Sequence, residues 1–159
     1  MTQKSWQIRQ ACQADADRLT QCMHHAYRQL NAAYGGQALP PMQVDYAEEI
    51  RLYPVWVAYA GDTLVGGLIL IHEQDYTTIA NVAVHPDFQG YGLGRGLIEF
   101  AQQQAAQHGH QALRLVTHQA FTENINLYTY LGWKVDKHQE NKIFMTKTLP
   151  TTNVVGSTS

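Results

Sequence analysis

The sequence predicts a single α/β domain with a mixed sheet. Segments that alternate apolar and polar residues are interleaved with segments of helical period. The turn residues between them cut the chain into strand, helix, short helix, three strands, helix, strand, helix and two strands. The chain has 159 residues, 45% hydrophobic and 15% charged, which is the size and composition of one globular domain and excludes a wholly disordered chain. Its formal charge is −2, from 11 Lys and Arg against 13 Asp and Glu. No basic excess is present to hold a phosphate backbone, so nucleic acid is not an expected partner.

The opening WQIRQA alternates and reads as a short strand. Leu19, Cys22, Met23, Ala26, Tyr27 and Leu30 then recur at helical spacing as one apolar face. Gly35-Gly36 and Pro40-Pro41 break the chain, and QVDYAEEIRLY predicts a short helix before Pro54. VWVAYA (55–60) and TLVGGLILIH (63–72) flank Gly61-Asp62, a two-residue hairpin turn. YTTIANVAV follows a polar turn at 73–75. Leu93, Leu97, Phe100, Ala101 and Ala105 mark the next helix, stopped by Gly109. ALRLVT (112–117) reads as a buried strand, and a helix over about 122–131 ends at Gly132. WKVDK and KIFMTKTL close the domain as a hairpin. The step from Val84 to Thr117 is strand, helix, strand, and predicts a parallel crossover.

The domain is expected to occupy 1–149, with a flexible tail over 150–159, PTTNVVGSTS. The longest apolar run, LVGGLILI at 64–71, falls far short of the roughly 20 residues of a bilayer span. No membrane partner is expected, and MTQKSWQIRQ carries no apolar region of a secretory signal. Cys12 and Cys22 fall in or beside one helix, about 15 Å apart by helical rise, too far for a disulfide. Such a chain suits a reduced, cytoplasmic setting. Neither two cysteines nor scattered histidines have ligand spacing, so no metal is expected.

The most informative stretch is VAVHPDFQGYGLGRGL, 82–97. A strand ends at Val84, His85-Pro86 stops it, and Gln89, Gly90, Gly92, Gly94 and Gly96 lead into a helix. Such an arrangement binds anions. The first N–H groups of a helix lack internal partners, its dipole is positive there, and glycines let a phosphate approach the backbone. The dinucleotide fingerprint fails, because the third glycine position falls on Arg95 or Leu97, and the P-loop fails for want of Gly-Lys. What fits is Q-x-x-G-x-G, from Gln89 through Gly92 to Gly94.

These residues resemble the coenzyme A loop of the GNAT superfamily of N-acetyltransferases. YTYLGW, 128–133, is similar to the family's Y-x-x-x-G-[FY] segment, 34 residues after Gly94, and FMTKTL resembles its last strand. The resemblance covers about 6–149. It implies a mixed, mostly antiparallel sheet of about seven strands, with a parallel pair splayed at the cofactor cleft. It implies acetyl transfer from acetyl-CoA to an amine by direct attack in a ternary complex. Backbone groups of Val82, Ala83 and Val84 would pair with the pantetheine arm and acetyl carbonyl. Those from Gly90 to Arg95 (Gly90, Tyr91, Gly92, Leu93, Gly94, Arg95) would hold the pyrophosphate. Gln89 stands where many members carry Arg, which exchanges a charge for a neutral amide. Asn124, four residues before Tyr128, would bond the cofactor arm, or satisfies local backbone at its helix start.

By position Tyr128 is the general acid that would protonate the departing thiolate. Read without the resemblance, it is a buried aromatic packing beside Leu131. The family's frequent Glu and Asn positions hold Val116 and Phe121, so the base is open among Glu73, His118, His72 and Glu123, with Glu73 and His118 foremost. Cys22 lies on an apolar helix face and reads as structural. Asp45, Glu48 and Glu49, with Tyr34, Tyr46 and Tyr53, either recognise a cationic acceptor or form a solvated helix face. Two other functions stand beside the transferase: an acetyl-CoA-binding module with weak or no catalysis, and an unrelated nucleotide-binding α/β protein. Monomer and homodimer remain equally open.

Overall fold

The computed structural model describes residues 5–33 and 40–150, and Tyr34 and the tail over 151–159 lie outside the described residues. The elements follow the expected order: β1 (Gln7–Gln10), α1 (Ala16–Ala33), α2 (Tyr46–Leu52), β2 (Val55–Ala60), β3 (Thr63–His72), β4 (Thr77–Val84), α3 (Leu93–Gln107), β5 (Ala112–His118), α4 (Thr122–Tyr130), β6 (Lys134–Gln139) and β7 (Lys142–Thr148). The fold is mixed α/β with a seven-stranded, mostly antiparallel sheet in the order β1-β2-β3-β4-β5-β7-β6. The crossover through α3 gives its one parallel pair, β4 with β5. That pairing comprises Thr77↔Leu113 and Thr78↔Arg114. The chain divides into two compact units, one running to Ile71 with Ile79–Ala101 added, the other made of His72–Thr78 and the chain from Gln102 onward.

In the first unit, two adjacent glycines of β3 let helices pack closely on both sheet faces. Successive strand residues point to opposite faces. A Cβ at Gly67 would lie 2.5 Å from Leu19 Cδ1 and 3.0 Å from Met23 Cε of α1. One at Gly66 would lie 3.2 Å from Leu97 Cδ1 and 3.3 Å from Leu93 Cδ2 of α3. Leu19, Cys22, Met23 and Tyr27 are buried, so the predicted apolar face of α1 is its packing face. The side chain of Leu30 lies outside the described residues.

A polar knot fixes the entry to α1. The buried Asp15 carboxylate accepts from Arg9 Nη1 (3.0 Å) and Nη2 (2.9 Å), from the Cys12 N–H (2.8 Å) and from the Tyr59 hydroxyl (2.8 Å). Four donors offset the desolvation of one carboxylate, and the Arg9 guanidinium leads in holding it well below the usual carboxylate range.

In the second unit, β5 pairs with β7 and β7 with β6, both antiparallel. Leu113, Leu115, Ile143 and Met145 are buried with Phe121, Tyr128 and Trp133. The expectation of a wholly buried β5 is corrected here. Leu113 and Leu115 face the core, whereas Arg114 and Val116 alternate with them onto an exposed face.

Candidate functional site

The glycine loop is built as the sequence suggests. β4 ends at Val84, and a single turn over Pro86–Phe88 is capped by His85, whose Nδ1 accepts from the Asp87 N–H at 3.1 Å. Gly90 and Gly92 both stand at φ +85°, a conformation that costs an L side chain about 1–2 kcal/mol. The first α3 bond beyond the loop runs from the Gly96 N–H to the Gly92 carbonyl, 2.9 Å. Gly92 is therefore the N-cap, and the N–H groups of Leu93 and Gly94 have no helical carbonyl to donate to. A Cβ at Gly90 would meet nothing within 4 Å, so the backbone is open to approach there. These donors and this space fit a pyrophosphate group.

The strand feeding the loop has a defined polarity. The His85 N–H donates to the Val65 carbonyl of β3 at 2.8 Å. By alternation Ala83 faces the same edge, and Val82 and Val84 turn their backbone groups to the opposite one. On that edge the Val82 carbonyl accepts from the Tyr27 hydroxyl (2.8 Å) and the Val84 carbonyl from the Gln89 amide (3.3 Å). Gln89 is thus bonded to the strand backbone. Tyr46 is buried, and its hydroxyl donates to the Pro41 carbonyl (2.7 Å) and accepts from Asn81 Nδ2 (3.1 Å).

In the second unit, Tyr128 is buried on α4 and packs against Trp133, ring centroids 5.6 Å apart. The Y-x-x-x-G-W segment has a structural reason. The Trp133 N–H donates to the Tyr128 carbonyl (2.9 Å) and the Gly132 N–H to the Thr129 carbonyl (3.0 Å), with Gly132 at φ +96°. This is a Schellman cap, and the Tyr128–Trp133 contact is its hydrophobic clasp. Among the described residues the Tyr128 hydroxyl has no hydrogen-bond partner. Burial raises its pKa above the ordinary phenol range, so the proton stays on oxygen at neutral pH. Asn124 lies one turn before Tyr128 on α4 and is partly buried.

His118 ends β5, and its Nδ1 accepts from the Ala120 N–H at 3.0 Å. Glu73 is exposed in the β3–β4 hairpin, where its N–H donates to the Tyr76 carbonyl at 2.8 Å. Glu123 is exposed in the first turn of α4. Of the acidic residues on α2, Asp45 caps the helix through the Glu48 N–H (3.2 Å) and Glu48 pairs with Arg51. Two of the three carboxylates are thus engaged within the helix and its cap, and Glu49 is partly buried. Burial pushes the Cys22 thiol up to about 12, which leaves it protonated and inert.

The sequence reading missed one cluster. His72, His108 and His110, read as scattered, come together in the second unit. His72 Nδ1 and His110 Nδ1 both bond the buried Thr77 hydroxyl, at 2.9 and 2.8 Å, and His72 stacks on His108 at 3.5 Å. Burial and then the two neighbouring imidazoles lower the His72 pKa. Among the described residues no group of three His, Cys, Asp or Glu side chains is arranged to hold a metal ion.

Residues 51–135 match the model of the acetyltransferase (GNAT) domain. The match spans more than half of the chain, and the chain belongs to the GNAT acetyltransferase family. Acetyl transfer is the general activity this membership supports. The paia N-acetyltransferase of Thermoplasma acidophilum, solved in complex with coenzyme A, is similar at 19% identity and TM-score 0.78, over 91% of this chain and 99% of that one. yncA of Salmonella typhimurium, solved with its cofactor acetyl-CoA, gives 22%, 0.68, 94% and 96% for the same measures. The ribosomal-protein-S18-alanine N-acetyltransferase of Escherichia coli gives 19%, 0.71, 95% and 99%. At these identities the likenesses show the fold. No curated protein sequence matches the chain. Among the described residues no helix is long and apolar enough to cross a membrane.

Proposed function

We propose that residues 1–149 act as one N-acetyltransferase domain that moves an acetyl group from acetyl-CoA to an amine by direct attack. The observation that carries this reading is the start of α3. Two left-handed glycines place the first N–H groups of a helix, those of Leu93 and Gly94, just beyond the end of β4. In this reading the backbone from Gly90 to Arg95 holds the pyrophosphate. Gln89 braces the loop, and Asn124 bonds the cofactor arm. Val82, Ala83 and Val84 line its path, with the N–H groups of Val82 and Val84 turned toward the acetyl carbonyl as preset oxyanion donors. Relatives of the same fold solved with coenzyme A or acetyl-CoA support this cofactor.

Acetyl-CoA supplies the acetyl group and departs as the thiol. The amine must be neutral to attack, although free alkylamines have a pKa near ~10. Glu73 or His118 takes that proton. Of the two, His118 would first have to release the Ala120 N–H from Nδ1. Tyr128 holds the proton that the leaving sulfur requires, because burial keeps its phenol neutral. The inert Cys22 favours direct attack over an acyl-cysteine route. Both described cysteines are unpaired, which suits a cytoplasmic protein.

The test is Tyr128→Phe, assayed by free-thiol release with an amine panel and by calorimetry with acetyl-CoA. Expected are a fall in kcat of the order of 10²-fold or more and an unchanged acetyl-CoA affinity. A kcat within twofold of wild type removes Tyr128 from the role. Acetyl-CoA binding without turnover of any amine would make the protein a binding module instead.

A further inference from the structure

The second unit carries an open sheet face whose charge differs in sign from that of the chain. β5, β6 and β7 together hold Arg114, Lys134, Lys137, Lys142 and Lys147 against one carboxylate, Asp136, in a chain of net charge −2. Lys147 turns to the α4 side, where its Nζ donates to the Leu131 carbonyl at 2.7 Å. The other four cations share one face, because residues directly opposite in an antiparallel ladder project to the same side. Arg114 and Lys134 both stand opposite Thr146, Lys137 opposite Phe144, and Lys142 opposite His118. At the centre of this face Val116 stands opposite Phe144 and is 50% exposed.

None of these four cations has an ion-pair partner among the described residues. Asp136 accepts from the Thr146 hydroxyl instead. Two of the four are held in place by aromatic rings. The Arg114 guanidinium lies 4.1 Å over the Tyr76 ring and Lys137 Nζ 4.6 Å over the Phe144 ring. A stacked guanidinium keeps its N–H edges available for a carboxylate in bidentate geometry. Three strands spaced ~4.8 Å apart and about six residues long at ~3.3 Å each cover roughly 300 Å². A stable protein interface buries ~800 Å² per partner. The face therefore suits a small ligand or a few residues of a peptide rather than a second folded chain.

We propose that this face selects the acetyl acceptor, and that the acceptor is an acidic amine, one whose amino group is accompanied by carboxylates and a short apolar portion. The inference rests on the amine-acetylation reading above. His118, one of the two bases named there, is on the same face, opposite Lys142. Carboxylates of the acceptor meet Arg114 and the lysines, and its apolar part covers Val116 and Phe144.

The experiment compares kcat/KM for glutamate against glutamine, and for a tripeptide bearing two glutamates against its diglutamine counterpart, in the full-length protein and in Arg114→Gln. Expected is at least a tenfold preference for the acidic member of one or both pairs, falling to within threefold in Arg114→Gln, with acetyl-CoA affinity unchanged. If that variant fails to fold, the salt dependence of the wild-type preference replaces it: tenfold more NaCl should erase most of the acidic advantage. Equal or inverted preference between the acidic and neutral members overturns the proposal and leaves amine acetylation standing. A weakened acetyl-CoA affinity in Arg114→Gln also overturns it, because the cations would then serve the cofactor phosphates. If no amine in a wider panel turns over, amine acetylation fails. Calorimetric titration of the two tripeptides then judges the face alone, with equal affinities counting against it.

Discussion

Replacing Gly132 by Ala tests whether the end of α4 is held as the structure indicates. Gly132 stands at φ +96°, where an L side chain costs about 1–2 kcal/mol. Its new Cβ would lie 2.6 Å from Lys147 Nζ, which donates to the Leu131 carbonyl at 2.7 Å. The lysine is the flexible partner and must leave. With it goes a charged hydrogen bond at a helix C-terminus, worth about 1 kcal/mol. The sum is about 2–3 kcal/mol, or about 5–10 °C in Tm for a domain of this size. Lys147→Met alone removes only the second contribution, about 1 kcal/mol. Because Gly132→Ala already expels that amine, the double variant should be no less stable than Gly132→Ala, a coupling of about 1 kcal/mol in a double-mutant cycle. Thermal unfolding of the four proteins decides it. A Gly132→Ala protein within about 2 °C of wild type, or strictly additive effects, would refute the reasoning.

Gly92→Val places a β-branched residue at φ +85° in the loop, and it should abolish the Tm rise that acetyl-CoA at a hundred times its Kd gives wild type, about 2.7 kcal/mol. Gly67→Ala should cost about 1–3 kcal/mol through its 2.5 Å clash with Leu19 Cδ1, and a second change, Leu19→Val, should recover part of that loss in denaturant unfolding. His72, facing His108, His110 and Thr77, has its pKa lowered in the folded protein, so the unfolded chain binds more protons. Stability is then full above about pH 6.5 and falls as pH drops below it, which Tm measured from pH 8 to pH 5 should display. Asp15 is likewise depressed, and its contribution is lost only at lower pH, below about 4. Asp15→Asn should cost about 2 kcal/mol at neutral pH, and the remaining loss below pH 4 should be smaller than in wild type.

Element order and type could be read from the sequence because they rest on local periodicity and turn chemistry. The period change after Val84 and the glycines at 61, 109 and 132 each act within a few residues of where they stand. The glycine loop was legible for the same reason. The strand ladder was less so, because nothing local says that β4 pairs with β5 at Thr77 and Thr78. The histidine cluster was hidden by sequence distance, since His72 meets His108 and His110 only after α3 has returned the chain. The cationic face did leave a trace. In ALRLVTH, Leu113 and Leu115 alternate with Arg114 and Val116, so Val116 is the apolar residue out of phase. Reading the run as uniformly buried concealed the phase.

Tyr128 is the position where the architecture and the proposed chemistry can be told apart. Its backbone carbonyl is the acceptor that closes the Schellman cap, and its ring clasps Trp133. Neither task uses the hydroxyl. Phe would cap and clasp equally well, and it would leave no phenolic oxygen to desolvate. Tyr128→Phe is therefore expected to be as stable as wild type or more so while losing turnover. A variant that lost stability and activity together would return Tyr128 to a purely structural role.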